Sequence, residues 1–283
     1  MRRRKYLNNR DLLKEIHTSK MSYSSYVDDE AAKYDLIVLN LDKINIRTVA
    51  QAKRNHADQL ARDAYTEAAK NDQTVKLAEF AVNWKKIPKE DLVFRVITHD
   101  HIPLEPGRKK NPKTVADHHT HCNFPPFQHY RFDENIELKC VGKSHWKDGM
   151  ENGAFSKIHG AMTNELAKMF MKLVERYGTR GNWRGYTYND EMQASALLQL
   201  SQIGLQFDES KSQNPFAYYT AAITNSFTRV LNLEKKGQNI RDDILEQHGL
   251  NPSYTRQIKN EEYSKGADWP RLPKIVKPNN KKK

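Results

Sequence analysis

The sequence predicts a mainly α protein, with a compact helical domain over residues ~155–240 preceded by an irregular, loop-rich insertion. Two observations carry this. Apolar residues recur every three or four positions through the second half, as one face of a helix requires. Between Trp84 and about Trp146 that periodicity disappears, and prolines at 103, 106, 112, 125 and 126 divide the chain into loops.

Taken in order, residues 8–17 read as a short helix that Asn8 and Asn9 can cap, with Leu12, Leu13 and Ile16 on one face. Residues 34–46 look extended, and Thr48 to Asn71 is rich in Ala and charge with weak helical periodicity. Asp91 to Thr98 is the best strand pattern in the chain, yet residues 84–150 as a whole read as irregular, with little sheet. Ile158, Met162, Leu166, Phe170, Leu173 and Tyr177 then line one helix, ended by Gly178. After a Gly/aromatic loop, Asn189 caps a second helix, with Asp190 and Glu191 set favourably against its dipole and Met192, Ala196, Leu200 and Ile203 as its apolar face. Asn214-Pro215 opens a third, whose stripe is Phe216, Tyr219, Ile223, Phe227, Val230 and Leu231. Shorter helices over Ile240–His248 and from Asn251-Pro252 to about Glu262 flank Gly249 with helix-turn-helix spacing, the alternative to an ordinary helical hairpin being a DNA-binding module that needs no polymerase.

The domains expected are therefore 1–20, a basic helix packing on the helical domain; 21–150, an insertion without an assigned role, His/Pro-rich from 84; 151–240, the helical domain; 241–263, short helices; and 264–283, a basic disordered tail. The 283 residues carry a formal charge of +12. Residues 1–20 hold seven Lys/Arg against two acids, and 265–283 hold seven against one, so the excess charge sits at the two ends. Basic ends suit a polyanion, because each phosphate contact releases counterions. No apolar run approaches the roughly 18 residues of a membrane span, and none follows the basic start as a signal peptide would need. Two cysteines make no disulfide framework. A soluble cytoplasmic protein with no membrane partner is expected.

Seven of the eleven histidines and both cysteines fall between residues 99 and 145. Imidazole and thiolate are zinc's preferred ligands, which makes His101, His119, His121 and Cys122 candidates for a structural zinc, although no pair stands at finger spacing. Asp100-His101-Ile102-Pro103-Leu104, Asn111 and His118-His119-Thr120-His121-Cys122-Asn123 also resemble, superficially, the HNH nuclease pattern, in which a His activates water beside a metal. Glu105-Pro106-Gly107-Arg108 stands where that family has Gly-Gly. No Gly-rich phosphate loop and no hydrolase or metalloprotease signature is present, so no cofactor is expected.

The strongest pattern runs from Tyr188 to Lys236. Asp190-Glu191-Met192 opens a helix, Gly204-Leu205-Gln206-Phe207-Asp208-Glu209 follows it, and Asn214-Pro215-Phe216-Ala217-Tyr218-Tyr219 starts the next, with Asn225 and Phe227 beyond. This resembles region 2 of bacterial sigma factors, and most closely the divergent late-transcription sigma factors of T-even-type bacteriophages. Lys5-Tyr6-Leu7-Asn8-Asn9-Arg10-Asp11-Leu12-Leu13 is similar to that family's start. The resemblance covers about 1–20 and 156–236, a third of the chain.

It implies a non-enzymatic initiation factor that binds the host's core RNA polymerase and melts an A/T-rich late promoter. The face bearing Glu191, Ser195, Leu198, Gln199 and Gln202 would dock on the polymerase clamp helices; a charge-poor face with one exposed leucine suits a protein interface. Sigma factors usually have an acid where Ser195 stands. On the third helix Tyr218 and Tyr219 are neighbours, so one can pack while the other offers a ring to an unpaired base. Asn225 can read a base edge, and Arg229, Lys235 and Lys236 can meet phosphates of promoter DNA. Late factors of this type end in a hydrophobic, acidic segment that binds the sliding clamp; here Trp269 and Leu272 stand in a Lys-rich end.

Overall fold

The structure is a computed structural model that describes residues 7–71, 75–105 and 114–267. Lys5 and Tyr6 of the N-terminal pattern, Pro106 to Arg108, Asn111, Trp269, Leu272 and the Lys-rich end lie outside the described residues. The chain divides into a first unit, Met1–Asn225, and a second, Ser226–Lys283.

The expected mainly α fold is corrected. The described residues combine helices with a five-stranded mixed sheet and a two-stranded one. The larger sheet is built from β1 (Ser24–Tyr26), β2 (Leu36–Val38), β3 (Val93–Ile97), β4 (Phe127–Phe132) and β5 (Leu138–Ser144), in the order β1-β5-β4-β3-β2. Only β2 and β3 run parallel. A small hairpin of β6 (Trp146–Lys147) and β7 (Ala154–Phe155) completes the strands. Residues 84–150 were expected to hold little sheet, yet they supply β3, β4, β5 and β6; these strands are two to seven residues long and several inward positions are polar. Arg95 on β3 and His129 on β4 are buried and paired in register, which hides the alternation that normally betrays a half-buried strand.

The sheet has two covered faces, because successive side chains point to opposite sides. On one, Phe94 and Val96 of β3 join Val38, Leu92 and Ile87 in a core with Ala52 and Ala57 of α2 (Ile46–Asn71). Small alanines let that helix lie close to the strands. On the other, Arg95 meets α1 (Asn9–Met21), which Asn8 caps by accepting the Asp11 N–H at 2.7 Å.

The helices of the second half follow the expected periods with shifted ends. α3 spans Asn164–Gly178, not from Ile158, which is 85% exposed. Thr163 starts it, accepting the Leu166 N–H and itself held by Ser19 and Glu15 of α1. α4 spans Asn189–Ile203 and buries Met192, Ala196 and Leu200 as its period requires. α5 runs from Pro215 to Gln247, joining the third helix and the separate shorter one expected from Ile240, and its residues fall in both units. Asn214 caps it through the Ala217 N–H at 3.1 Å. Within the first unit Phe170 of α3 and Tyr219 of α5 meet edge to face at 4.7 Å. Gly204 fits there because a Cβ would stand 2.7 Å from both Phe170 and the Leu200 carbonyl.

In the second unit the last part of α5 turns at Gly249, whose φ of +69° suits glycine, into α6 (Tyr254–Ala267). Asp242 accepts both the N–H and the hydroxyl of Ser253, at 2.8 and 2.7 Å, and pins the two helices together. No described helix is long and apolar enough to cross a membrane.

Candidate functional site

The turn between α4 and α5 is the best-anchored loop of the first unit. Glu209, at its centre, is almost fully buried and accepts from Arg95 at 2.7 Å, Lys20 at 3.1 Å and Tyr34 at 3.1 Å. Lys20 also donates to the Phe207 carbonyl at 2.8 Å. The Arg95 guanidinium lies 3.9 Å from each of the Tyr34 and Phe127 ring centres, and its remaining donors reach His129 at 2.9 Å and His17 at 3.0 Å. Because His129 Nδ1–H donates to the Ala31 carbonyl, its Nε2 is free to accept from Arg95. Burial would raise the Glu209 pKa, but Lys20 and Arg95 outweigh it and hold the carboxyl near 2. Burial first, then Arg95, pushes His17 down to about 3, so this imidazole stays neutral at pH 7.

Sequence reading assigned no role to these residues. One signal was there: Arg95 interrupts the most apolar strand of the chain, Leu-Val-Phe-Arg-Val-Ile, where a buried cation needs a carboxylate. The cluster is anchoring rather than reactive, since its ionised groups are paired and nearly sealed from solvent.

On α4, Glu191 and Gln202 are exposed, Leu198 is 63% exposed, and Ser195 and Gln199 are half-buried. They occupy positions i, i+4, i+7, i+8 and i+11 of one helix and so share a face. Asn189 does not cap this helix. It is the first helical residue, and its amide donates to the carbonyls of Gly178 and Trp183, at 3.1 and 2.7 Å, closing the loop that precedes α4.

On the first unit's part of α5, Tyr219 is fully buried and donates to the Gly204 carbonyl, while Tyr218 is half-buried with its ring 5.6 Å from Phe207. Tyr218 is therefore the ring of the pair left open to a ligand. Asn225 is exposed. In the second unit, Arg229, Lys235 and Lys236 are all exposed on α5.

The histidine-rich segment does not gather all four expected ligands. His119, His121 and Cys122 line one open pocket of about 320 Å³ with His99 and Asp117, but His101 is not among its lining residues. The His101 Nε2–H donates instead to the Ser144 carbonyl at 2.9 Å, and burial pushes its pKa down to about 4. Cys122 directs its thiol to the Thr120 carbonyl, and burial pushes it up to about 11, away from the thiolate a metal binds. Among the described residues no three His, Cys, Asp or Glu side chains are placed to hold a metal ion. No family model, no curated protein and no solved structure matches the chain.

Proposed function

We propose that this chain is a sigma-type initiation factor of the bacteriophage late-transcription kind, working in the host cytoplasm with the host's core RNA polymerase. One observation carries the reading. The two stretches that resemble this family lie more than a hundred residues apart in sequence, yet they meet in one module of the first unit. Lys20 of α1 bonds Phe207 and Glu209 of the family-like turn, Asn9 accepts the Phe216 N–H at 3.1 Å, and Glu15 and Ser19 hold the cap of α3. The sheet contributes Arg95 to the same turn and so acts as a scaffold beneath it.

In this reading the α4 face around Leu198 docks on the polymerase. Tyr218 stacks on an unpaired promoter base, which contributes about 1–3 kcal/mol, and Asn225 meets a base edge. Arg229, Lys235 and Lys236 meet phosphates. A/T-rich steps unstack at lower cost, so the promoter's deformability is part of its recognition. A sliding-clamp contact would fall to the C-terminal end, which carries Trp269 and Leu272.

The test is co-elution of the purified chain with bacterial core polymerase. Wild type is expected to co-elute. Leu198→Asp is expected to lose the complex while keeping its thermal midpoint, because the side chain is exposed. Failure of the wild type to associate at low salt, or full binding by Leu198→Asp, would overturn the reading. Tyr218→Ala is expected to retain the polymerase and lose promoter opening.

A further inference from the structure

We propose that the loop joining α3 to α4, residues 179–188, is a binding site for an unpaired nucleic-acid strand. It lies wholly in the first unit and is distinct from the α4 face and from α5.

Its charge has one sign. Between Glu175 and Asp190, which flank it, the segment holds Arg176 at the end of α3 and Arg180 and Arg184 in the loop, with no acid, and all three arginines are exposed. Its aromatic residues form a continuous row. The Tyr177, Trp183, Tyr186 and Tyr188 rings follow one another at centroid spacings of 6.3, 6.2 and 5.3 Å. Tyr177 anchors the buried end, its hydroxyl 2.7 Å from that of Thr224, while Trp183, Tyr186 and Tyr188 stay half-exposed. Arg180 lies over the Tyr177 ring at 4.4 Å, which orients one cation beside the row.

The loop is also held in shape before any ligand arrives. The N–H groups of Trp183 and Arg184 both donate to the Arg180 carbonyl, at 2.9 and 3.0 Å, and Asn189 clamps the Trp183 carbonyl at 2.7 Å. A ring row already ordered by its backbone loses little entropy on binding. Half-exposed aromatics interleaved with arginines are what a single strand uses: phosphates meet the cations, and unpaired bases stack on rings without regard to sequence. A duplex offers no free base faces to such a row.

The experiment measures fluorescence anisotropy of a labelled oligothymidine and of a duplex of equal length with the full chain, without polymerase. Its failure is thus separate from failure of the polymerase reading. The single strand is expected to bind more tightly than the duplex. Trp183→Ala should weaken single-strand binding about tenfold, and Trp183→Phe should restore most of it. The double variant Arg180→Ala/Arg184→Ala, at two exposed positions and checked for an unchanged thermal midpoint, should weaken binding at low salt and reduce the log–log salt slope by about 1.4. The proposal is overturned if the double variant binds oligothymidine like wild type, since the basic chain ends would then account for binding. Equal or tighter binding of duplex overturns it as well. So does a pattern in which these variants lose polymerase co-elution yet keep oligonucleotide affinity, which would make the loop a protein-docking element.

Discussion

The first unit seals an ion cluster beneath its sheet, with Arg95, Glu209 and Lys20 each almost fully buried. The second unit, among its described residues, buries only Ser226, Phe227 and Asp242. It leaves Leu233, Ile240, Ile244, Leu250 and Ile258 exposed, and its two helices are joined by polar clips such as Asp242–Ser253 and Arg256–Asp243. The contrast separates two ways of holding helices. A buried charge costs several kcal/mol to desolvate and so tolerates only one arrangement of its partners. An ion pair at the surface, such as Arg256–Asp243, is worth little and leaves its helices easy to repack. The turn between α4 and α5 is built the first way, and the helical hairpin around Gly249 the second.

The largest effect expected follows from Glu209→Ala. It would leave Arg95 and Lys20 buried without a countercharge, at a cost of roughly 3–5 kcal/mol, read as a fall in the urea midpoint. A loss below about 1 kcal/mol would mean that the cluster admits water and the comparison fails.

Acid probes the same cluster. Glu209, ordinarily near 4.5, is held near 2 in the folded chain, and His17, ordinarily 6.5, near 3. Both folded values are depressed, so the unfolded chain takes up protons first. Their contribution is complete above pH 6.5 and is lost as pH falls, through His17 from 6.5 towards 3 and through Glu209 from 4.5 towards 2. His56 works in the opposite direction, because its hydrogen bond to Asp35 raises its pKa and its contribution fades as pH rises. A loss on the order of a few kcal/mol between pH 7 and pH 3 is expected, and in Glu209→Gln the part below pH 4.5 should shrink. An unchanged acid profile in that variant would sink the assignment.

Tyr219→Phe removes the bond to the Gly204 carbonyl and should cost about 1 kcal/mol by equilibrium denaturation. Ile244→Ser in the second unit should change stability by no more than about 0.5 kcal/mol, because the side chain is 50% exposed. A cost above about 2 kcal/mol there would show that the face is covered in solution and would remove the contrast between the units.

Much of the helical architecture was legible in the sequence, because it rests on local patterns. The apolar period of α4, the Asn8 and Asn214 caps and the Val93–Ile97 strand depend on residues a few positions apart. The split between Tyr218 and Tyr219 was readable as a necessity, but not which of the two would be buried. The start of α3 was misplaced because Thr163 caps it while braced by Ser19 and Glu15, residues more than 140 positions earlier. Trp183, Tyr186 and the loop arginines were visible as a Gly/aromatic stretch, and only their ring spacings made them a row.

Where helices run and which of their faces are apolar follows from local sequence, since periodicity and capping act over one or two turns. The tertiary structure decided the sheet and its buried ion cluster. β3 with Arg95, β4 with His129 and the turn with Glu209 are each unremarkable in isolation. A buried cation is tolerable only once its carboxylate arrives, and here it arrives from 114 residues away.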